Sequence, residues 1–404
     1  MRILIATSNR NLIGGVEKYL QALFPALLDC GHSVALLYEY PHDAARETID
    51  SPGARLPAWC STALGTESVR REVSNWRPDV VYCHGLDELR LERALLEDYP
   101  AILFAHTYYG TCISGRKCHA VPRIEPCDRK LGAACLLLYY PRRCGGLNPG
   151  TMWRMFQEQS QRNTNLRDYR SILVASQHML REYTRNGVDP NRLHLVPLPV
   201  IDGALEPIAA RRTMPGGQIL FVGRIMDVKG ADHLIRAIPE AIRKLGRHLK
   251  VTIAGDGPDR NELEKLAQRL GVDADFTGWI GADRKRELMR QADLLAVPSL
   301  WPEPFGLAGL EAGCLGLPAV GYDVGGIREW LNPGESGELA AGDPPTVSGL
   351  AEAIARALAD PEHYQKLCLG AWATARKHSI ESHLAALEVS LAQVQAAAAL
   401  PCFS

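Results

Sequence analysis

The chain has 404 residues and a formal net charge of −1, with 45 Lys and Arg against 46 Asp and Glu, which excludes a general attraction for nucleic acid. No apolar run approaches the roughly 20 residues of a membrane-spanning helix. The first residues, Met-Arg-Ile-Leu-Ile-Ala-Thr, have the pattern of a buried strand rather than of a secretory signal. We therefore expect a cytoplasmic protein of two or three domains.

Strands alternate with helices from the first residue. Residues 16–30 predict the first helix, because Tyr19, Leu20 and Leu23 recur at helical spacing. Short apolar runs predict the strands of this half, at residues 2–6, 33–38, 78–83, 101–105 and 171–175. Such alternation predicts an α/β domain with a parallel, doubly wound sheet, and we assign residues 1–202 to it.

Two features of this domain follow predicted strands. Gly14 and Gly15 form a glycine-rich loop before the first helix, and Glu17 lies one turn further on. Glu17 is either a site residue or a helix-start carboxylate stabilised by the helix dipole. His106 directly follows the strand at 101–105, which places it at the carboxyl edge of the sheet. A single His in such a place is more often structural than catalytic.

An insert at 110–150 is rich in cysteine and in basic residues. The gaps between its cysteines do not match the short spacing of a zinc knuckle. Three alternatives stay open: packed thiols, disulfides, or a structural metal site, zinc for example, at Cys112, Cys127, Cys135 and Cys144. Residues 112–144 hold seven Lys and Arg against two Asp and Glu. This excess suits an anionic acceptor or a membrane headgroup, with Arg142 and Arg143 as candidates, although a solvated basic loop is equally simple.

Residues 203–217 have the composition of a linker, and the strand–helix pattern restarts at 218. Gly223 and Arg224 follow the strand at 218–222, and Lys229 precedes the next helix. Two cations at the carboxyl end of a strand suit a diphosphate. The alternative is two surface cations with local carboxylate partners. Gly255 follows the next strand, where a glycine lets the backbone approach a ligand closely.

The segment 301–313, Trp-Pro-Glu-Pro-Phe-Gly-Leu-Ala-Gly-Leu-Glu-Ala-Gly, follows a strand-like run. We predict a helix from 305 to 315, with Glu303 in the loop before it and Glu311 inside it. The N–H groups of a helix N-terminus at a strand end form a phosphate site, here at Phe305, Gly306 and Leu307. Carboxylates on both sides of that site suit the hydroxyl groups of two sugars. The alternative is a polar junction with two solvated Glu.

The chain is predicted to be helical from about 361 to 399. Leu384, Leu387, Leu391 and Val394 form one apolar stripe, so this part must pack on another element. A dimer helix is the alternative. We assign 218–380 to the second domain and 381–404 to a C-terminal helix and tail.

As a set, these motifs resemble the retaining glycosyltransferases of family 4. The matching pieces are Gly223-Arg224 with Lys229-Gly230, Ala254 to Pro258, the Glu-x7-Glu of 303–311, Gly325 to Glu329, and the glycine loop at 14–15. The resemblance implies the GT-B fold, in which two Rossmann-like doubly wound domains face each other. It also implies that the last helix crosses back to the N-terminal domain.

The resemblance implies roles for the motif residues. The enzyme would transfer a sugar from a nucleoside-diphosphate sugar to a glycan or lipid-linked acceptor, in polysaccharide or glycoconjugate synthesis, without a required cofactor. His106 would contact the donor sugar, Glu303 would hold its hydroxyl groups, and Glu311 would hold the ribose. Relatives often have Asp after this His, where this chain has Thr107. Contact with the inner face of a membrane is compatible with these expectations.

Two kinds of alternative function remain open at this point. One is another GT-B enzyme, such as a nucleotide-sugar epimerase or a phosphorylase. The other is a non-catalytic protein that binds nucleotide sugars or glycans.

Overall fold

The computed structural model describes residues 1–43, 46–50, 56–201, 203–208 and 214–399. Residue 202, residues 209–213 of the predicted linker and residues 400–404 of the predicted tail lie outside the described residues. The chain forms two compact units. The first unit contains Met1–Arg116, Asp128–Ile201 and the chain from Ile380 on, and the second contains Lys117–Cys127 and Asp202–Ser379.

Strands and helices alternate through the first 201 residues. The strands are β1 (Arg2–Thr7), β2 (Ser33–Tyr38), β3 (Ala58–Cys60), β4 (Val80–Cys83), β5 (Ala101–Ala105), β6 (Cys118–His119), β7 (Glu125–Pro126), β8 (Ser171–Val174) and β9 (Leu193–Leu195). The helices are α1 (Gly15–Asp29), α2 (Ser61–Leu64), α3 (Thr66–Trp76), α4 (Leu89–Asp98), α5 (Ala134–Leu138), α6 (Pro149–Asn165) and α7 (Gln177–Arg185). A short 3-10 turn at Pro190–Arg192 precedes β9.

The first unit is built on a seven-stranded parallel sheet in the order β3-β2-β1-β4-β5-β8-β9. Its central strands are apolar on both faces; Ile3, Leu4 and Ile5 of β1 have no exposed surface. Helices must therefore cover both faces of the sheet, as in doubly wound folds. The strand order reverses between β1 and β4. Strands β4 and β5 pair in parallel, so their carboxyl ends are neighbours at the same edge of the sheet.

The second unit repeats this architecture with six parallel strands. Its strands are β10 (Gln218–Val222), β11 (Lys250–Ala254), β12 (Ala274–Gly278), β13 (Leu294–Val297), β14 (Ala319–Tyr322) and β15 (Gly337–Ala340). Its helices are α8 (Ala231–Leu245), α9 (Arg260–Leu270), α10 (Ala282–Gln291), α11 (Ala308–Gly313), α12 (Val347–Ala359) and α13 (Pro361–Lys377). The sheet order is β12-β11-β10-β13-β14-β15, so the order reverses between β10 and β13.

The segment Lys117–Cys127, here called the strap, belongs to the second unit although the sequence analysis placed all of 110–150 in the first domain. The strap contains the antiparallel pair β6–β7. Its Arg123 and Ile124 line a cavity of about 450 Å³ that Ile225 and Met226 also line. The strap therefore lies beside the turn that follows β10. Sequence reasoning could not place it, because strands of two residues leave no periodic pattern.

The predicted C-terminal helix is interrupted once, at 378–379. The chain continues as α14 (Ile380–Ala399), which packs on α1 and β4 of the first unit. Its predicted stripe, Leu384, Leu387, Leu391 and Val394, is buried, at 8%, 0%, 0% and 4% exposure. The prediction that this helix returns to the N-terminal domain is thus confirmed. None of the helices in the described part of the chain combines the length and the apolar character that a membrane crossing requires.

Candidate functional site

The predicted donor-site residues collect at one edge of the second sheet. The turn after β10 carries Arg224 and Lys229, and the loop after β13 carries Glu303. β10 and β13 are neighbours at the position where the strand order reverses. In open α/β sheets, ligands bind outside the carboxyl ends of the strands at this switch point. The topology therefore brings together motifs that lie some 74 residues apart in sequence.

Lys229 and Glu303 form an ion pair at this edge. Lys229 Nζ lies 2.6 Å from Glu303 Oε1, and Ser299 Oγ donates a hydrogen bond of 2.6 Å to the same oxygen. Lys229 Nζ also lies 5.3 Å from the ring centroid of Trp301. Glu303 is 7% exposed. One carboxylate oxygen is thus anchored by the protein, which leaves Oε2 as the oxygen that a ligand hydroxyl can use.

Two glycines allow the loops at this edge to meet. A Cβ at Gly255 would overlap the carbonyl oxygen of Gly223, and Gly223 N donates to Ala254 O at 3.0 Å. Gly230 has φ of +67°, and a Cβ there would overlap the carbonyl oxygen of Pro298. Side chains at these positions would push the loops apart. The glycine requirement therefore comes from backbone packing between loops.

Arg224 differs from Lys229 in its surroundings. It is exposed, and its guanidinium has no hydrogen-bond or ion-pair partner among the residues that the structure describes. The partner of Lys229 is Glu303 rather than a local carboxylate, so the alternative of two locally paired surface cations does not describe this turn. An exposed guanidinium beside an anchored ammonium places two cationic groups at the switch point.

The helix predicted from 305 to 315 is shorter in the structure, where α11 spans only Ala308–Gly313. Gly306 has φ of +89°, which a helix cannot continue. Trp330 Nε1 donates a hydrogen bond of 2.8 Å to Phe305 O. Its ring lies against Gly306 and occupies the space where Gly309 would carry a side chain. Gly306 and Leu307 thus belong to the loop before α11, which corrects their predicted place in the first turn.

Glu311 lies inside α11 as predicted, and its carboxylate is paired with a residue that sequence reasoning missed. Lys285 Nζ of α10 lies 2.8 Å from Glu311 Oε2, and both side chains are largely buried, at 16% and 11% exposure. Lys285 stands in a run of three basic residues, which gave no reason to prefer it over its neighbours. A ribose at Glu311 would therefore share this carboxylate with Lys285.

In the first unit, His106 follows β5 as predicted and is held by a second histidine. His84, which follows β4, places Nδ1 2.9 Å from His106 Nε2. The ring of His106 stacks on Phe104 with centroids 4.6 Å apart and meets the edge of Tyr19 at 5.3 Å. Burial lowers the pKa of His106 to about 3, and His383 adds to this effect. His106 is therefore neutral at physiological pH and acts as a hydrogen-bonding group rather than as a charged acid.

The hydrogen bonds around His106 have a defined direction. His383 Nδ1 lies 2.8 Å from the carbonyl oxygen of Pro197, so this nitrogen carries the proton of the neutral ring. His383 Nε2 then accepts from the hydroxyl of Tyr19 at 2.8 Å, and Tyr19 accepts from Tyr82 at 2.9 Å. Burial lowers the pKa of His383 to about 4. Through His383, helix α14 thereby positions Tyr19, whose ring contacts His106.

One ring nitrogen of His84 lacks a hydrogen-bond partner. Its Nε2 is buried and has no hydrogen-bond partner among the described residues. An unpaired lone pair costs less than an unpaired N–H, so His84 carries its proton on Nδ1 and donates it to His106 Nε2. His106 then carries its own proton on Nδ1. The sequence signal for His84 was its place after a strand, the same signal that selected His106.

These histidines predict how stability depends on pH. The pKa values of His84, His106 and His383 are lowered by burial below the ordinary value of 6.5. The unfolded chain therefore binds more protons than the folded chain below about pH 6.5, and stability falls as the pH falls from 6.5 towards 4. We expect a loss on the order of 1–3 kcal/mol from each of His106 and His383. Urea unfolding at several pH values measures it.

A matched pair of variants tests this pH dependence. His383→Gln removes one of the buried titrating groups, so the slope of stability against pH should become shallower between pH 4 and 6.5. The exposed His248, at 68% side-chain exposure, serves as control, because His248→Gln should leave the slope nearly unchanged. Equal slopes in wild type and His383→Gln would contradict the assignment.

The glycine loop of the first unit caps α1. Gly14 N donates a hydrogen bond of 2.8 Å to Glu17 Oε2, and Glu17 is 7% exposed. This is the capping interaction of a helix N-terminus. The alternative of a structural carboxylate at Glu17 thus has a specific contact to support it, while Gly15 is the first residue of α1. A role of Gly14, Gly15 and Glu17 in ligand binding stays a prediction.

A structural metal site was one of three alternatives for the cysteines of the insert. Within the part of the chain that the structure describes, no group of three or more Cys, His, Asp or Glu side chains is arranged to hold a metal ion. Cys127 belongs to the second unit, whereas Cys112, Cys135 and Cys144 belong to the first. Their sequence spacing is therefore not a guide to a shared site.

Two family models match the chain. The model described as "Glycosyl transferases group 1" matches residues 211–368, and the model described as "Glycosyltransferase Family 4" matches residues 13–202. Together they account for most of the two units. The two matches also follow the division of the fold, because 13–202 covers every strand of the first sheet except β1, and 211–368 covers all six strands of the second sheet.

Individual relatives show the same similarity. A glycogen synthase of Mycobacterium tuberculosis is 28% identical over 388 residues, which covers 88% of this chain and 85% of that protein. A D-inositol 3-phosphate glycosyltransferase of Nocardia farcinica is 34% identical over 225 residues, covering 50% and 49%. The crystal structure of Anabaena HepE in complex with UDP-glucose aligns with a TM-score of 0.65 at 17% identity, covering 97% and 100%. At that identity, the last comparison concerns the fold alone.

Proposed function

We propose that this chain, which belongs to the group 1 glycosyltransferases of glycosyltransferase family 4, transfers a sugar from a nucleoside-diphosphate sugar to an acceptor hydroxyl. The observation that carries the proposal is the Lys229–Glu303 pair beside Arg224 at the switch point of the second sheet. It supplies positive charge for a diphosphate and an anchored carboxylate for a sugar. The comparisons give no support to an epimerase, a phosphorylase or a non-catalytic binding protein.

The charges at the switch point suit the leaving group. As the sugar–phosphate bond breaks, negative charge grows on the diphosphate, and cations placed there in advance stabilise the transition state. In the proposal, Arg224 and Lys229 carry this role. Glu303 is held at Oε1 by Lys229 and Ser299 and offers Oε2 to sugar hydroxyls. The same ammonium thereby fixes the positions of the diphosphate and of the sugar relative to each other.

Two further roles complete the proposal. Glu311 would bind the ribose hydroxyls, with Lys285 paired to one oxygen of the same carboxylate. His106, neutral and held by His84, would donate a hydrogen bond rather than transfer a proton. We propose that the reaction retains the anomeric configuration, needs no cofactor, and serves polysaccharide or glycoconjugate synthesis in the cytoplasm.

A thermal-shift screen against UDP, GDP and ADP sugars tests the donor class. A ligand at 100 times its Kd should stabilise the protein by about 2.7 kcal/mol. The correct donor should stabilise wild type but should stabilise Arg224→Ala much less. If none of these nucleotide sugars stabilises the protein and none is consumed, the proposed function is wrong.

Stereochemistry and metal dependence follow from the two cations. Since Arg224 and Lys229 can take the place of a metal ion at the diphosphate, EDTA should leave the rate unchanged. The product should keep the anomeric configuration of the donor, which NMR of the product measures. An inverted product, or activity that only added Mn²⁺ or Mg²⁺ restores, would contradict this prediction.

The basic insert predicts an effect on the acceptor. Arg143 is exposed, and Arg142 lies next to it in the first unit. Replacing both by Gln should raise the KM for a water-soluble anionic acceptor by up to roughly tenfold, as expected for exposed charges. The affinity for the nucleotide sugar should stay nearly unchanged. A matched control is Arg71→Gln, also exposed and in the same unit. Equal losses of donor and acceptor binding would argue against an acceptor role.

A further inference from the structure

Helix α5 exposes apolar side chains that a folded domain ordinarily buries. It contains three consecutive leucines, Leu136, Leu137 and Leu138, and none of its residues is buried. Leu137 is 78% exposed. Leucine is among the residue types most often found inside proteins. An entire helix without a buried residue therefore has an apolar surface that the chain does not cover itself.

The loop after α5 and the first turns of α6 continue this surface. Leu147 is 75% exposed and Trp153 is 51% exposed. Within α6, Asn165 at the far end is the one buried residue. Helix α5 contacts α6, and Tyr139, which directly follows α5, places its Oη 3.9 Å from Met155 Sδ. Residues 129–157, here called the insert face, thus carry three exposed apolar side chains on two helices that contact each other and on the loop between them.

The insert face is mainly basic, and acidic residues flank it at Asp128 and at Glu158, whose carboxylate lies 3.9 Å from Arg154. Residues 129–157 contain five Lys and Arg and no Asp or Glu: Arg129, Lys130, Arg142, Arg143 and Arg154. Arg143 is exposed, and the side chain of Arg154 is 70% exposed. The whole chain is nearly neutral, so this stretch concentrates positive charge beside exposed Leu and Trp side chains.

We propose that the insert face docks on an anionic lipid surface. Exposed Leu and Trp side chains beside an excess of Lys and Arg match segments that lie in the membrane interface. Trp is favoured at the level of the headgroups, and clustered cations are attracted by anionic lipids. A lipid surface offers negative charge and apolar depth together, and so satisfies both features of the insert face. This inference does not depend on the proposed transfer reaction.

Vesicle binding tests the proposal with the full chain. Wild type should sediment with vesicles of phosphatidylcholine and phosphatidylglycerol, bind pure phosphatidylcholine much less, and lose binding at high salt. The double variant Leu137→Ser, Trp153→Ser should bind the anionic vesicles on the order of tenfold more weakly. Arg142→Gln with Arg143→Gln should have a similar effect, on the order of tenfold.

Matched controls distinguish membrane binding by the insert face from nonspecific binding by any exposed apolar side chain. Trp279 in the second unit is 82% exposed, so Trp279→Ser should leave vesicle binding unchanged. Glu303→Gln should bind vesicles like wild type even when it no longer transfers sugar, which separates this proposal from the proposed function. Absence of binding to anionic vesicles, or binding that the insert-face variants do not weaken, overturns the proposal. Self-association abolished by Leu137→Ser, without vesicle binding, would assign the face to a protein partner instead.

Discussion

Replacing Lys229 by Ala should lower kcat by roughly 10²- to 10³-fold, the cost of losing one donor to a developing negative charge. Arg224→Ala should have a similar effect, because both cations face the diphosphate in the proposed reaction. The structure adds a distinction between them. Lys229 is paired with the largely buried Glu303, whereas Arg224 has no partner among the described residues. Single-turnover rates at saturating donor measure the chemical step.

The distinction predicts different stability effects. Lys229→Ala leaves the carboxylate of Glu303 without its cation, which should destabilise the second unit. The loss should be smaller than the roughly 3–5 kcal/mol of a fully buried pair, because the Lys229 side chain keeps 28% of its surface in solvent. Arg224→Ala should unfold like wild type. Lys265, whose pair with Glu262 is exposed on both sides, provides a control lysine whose loss should change neither property. Wild-type turnover in Arg224→Ala and Lys229→Ala would show that neither cation acts on the diphosphate.

Substitutions of Glu303 and Glu311 should affect kcat and donor affinity to different extents. Glu311→Ala should weaken binding of the nucleoside diphosphate by roughly 10- to 100-fold, the value of hydrogen bonds to a charged group, with a smaller change in kcat. Ribose contacts are the same in the ground state and in the transition state, so they act on binding alone. Glu303→Ala should reduce kcat at least as much as affinity, because contacts to the sugar change as its ring flattens. Calorimetry and steady-state kinetics separate the two patterns.

A control variant removes an ambiguity at Glu311. Glu311→Ala also leaves Lys285 without its partner, and a local rearrangement alone could weaken binding. Lys285→Met breaks the same ion pair but keeps the carboxylate. If the carboxylate binds the ribose, Lys285→Met should retain most of the affinity that Glu311→Ala loses. Unchanged nucleoside diphosphate affinity in Glu311→Ala would be evidence against the ribose assignment.

Local patterns were sufficient for the five strands predicted in the first unit and for β10, whereas the short strands β3, β6 and β7 were not predicted. The predicted strands at 33–38, 101–105 and 218–222 have the bounds found in the structure, because buried parallel strands are short apolar runs between turn residues. The loop before α11 was predicted as helix because the sequence shows neither the positive φ of Gly306 nor the indole of Trp330 beneath it. That conformation depends on a residue 24 positions further along the chain.

In the candidate site, too, the sequence identified individual residues but not the contacts between them. Arg224, Lys229 and Glu303 were identified by motifs, each of which follows its own strand. Their mutual geometry was not accessible, since the Lys229–Glu303 pair is made by the order of strands in the sheet. Lys285 and His383 were missed for a related reason. Each is an ordinary helical residue whose role exists only through a partner on another element, Glu311 for one and Tyr19 for the other.

The return of α14 to the first unit has a consequence for biosynthesis. Leu387 and Leu391 of α14 are buried, and α14 packs on α1 and β4. These two elements are synthesised early in translation, whereas α14 is synthesised only after residue 379. At 5–20 residues per second, roughly ten to forty seconds separate synthesis of residue 201 from that of α14. During this interval the nascent first unit exposes an apolar strip that only the end of the chain can close. Molecular chaperones that recognise such strips should associate with ribosomes carrying this chain until its last helix has emerged.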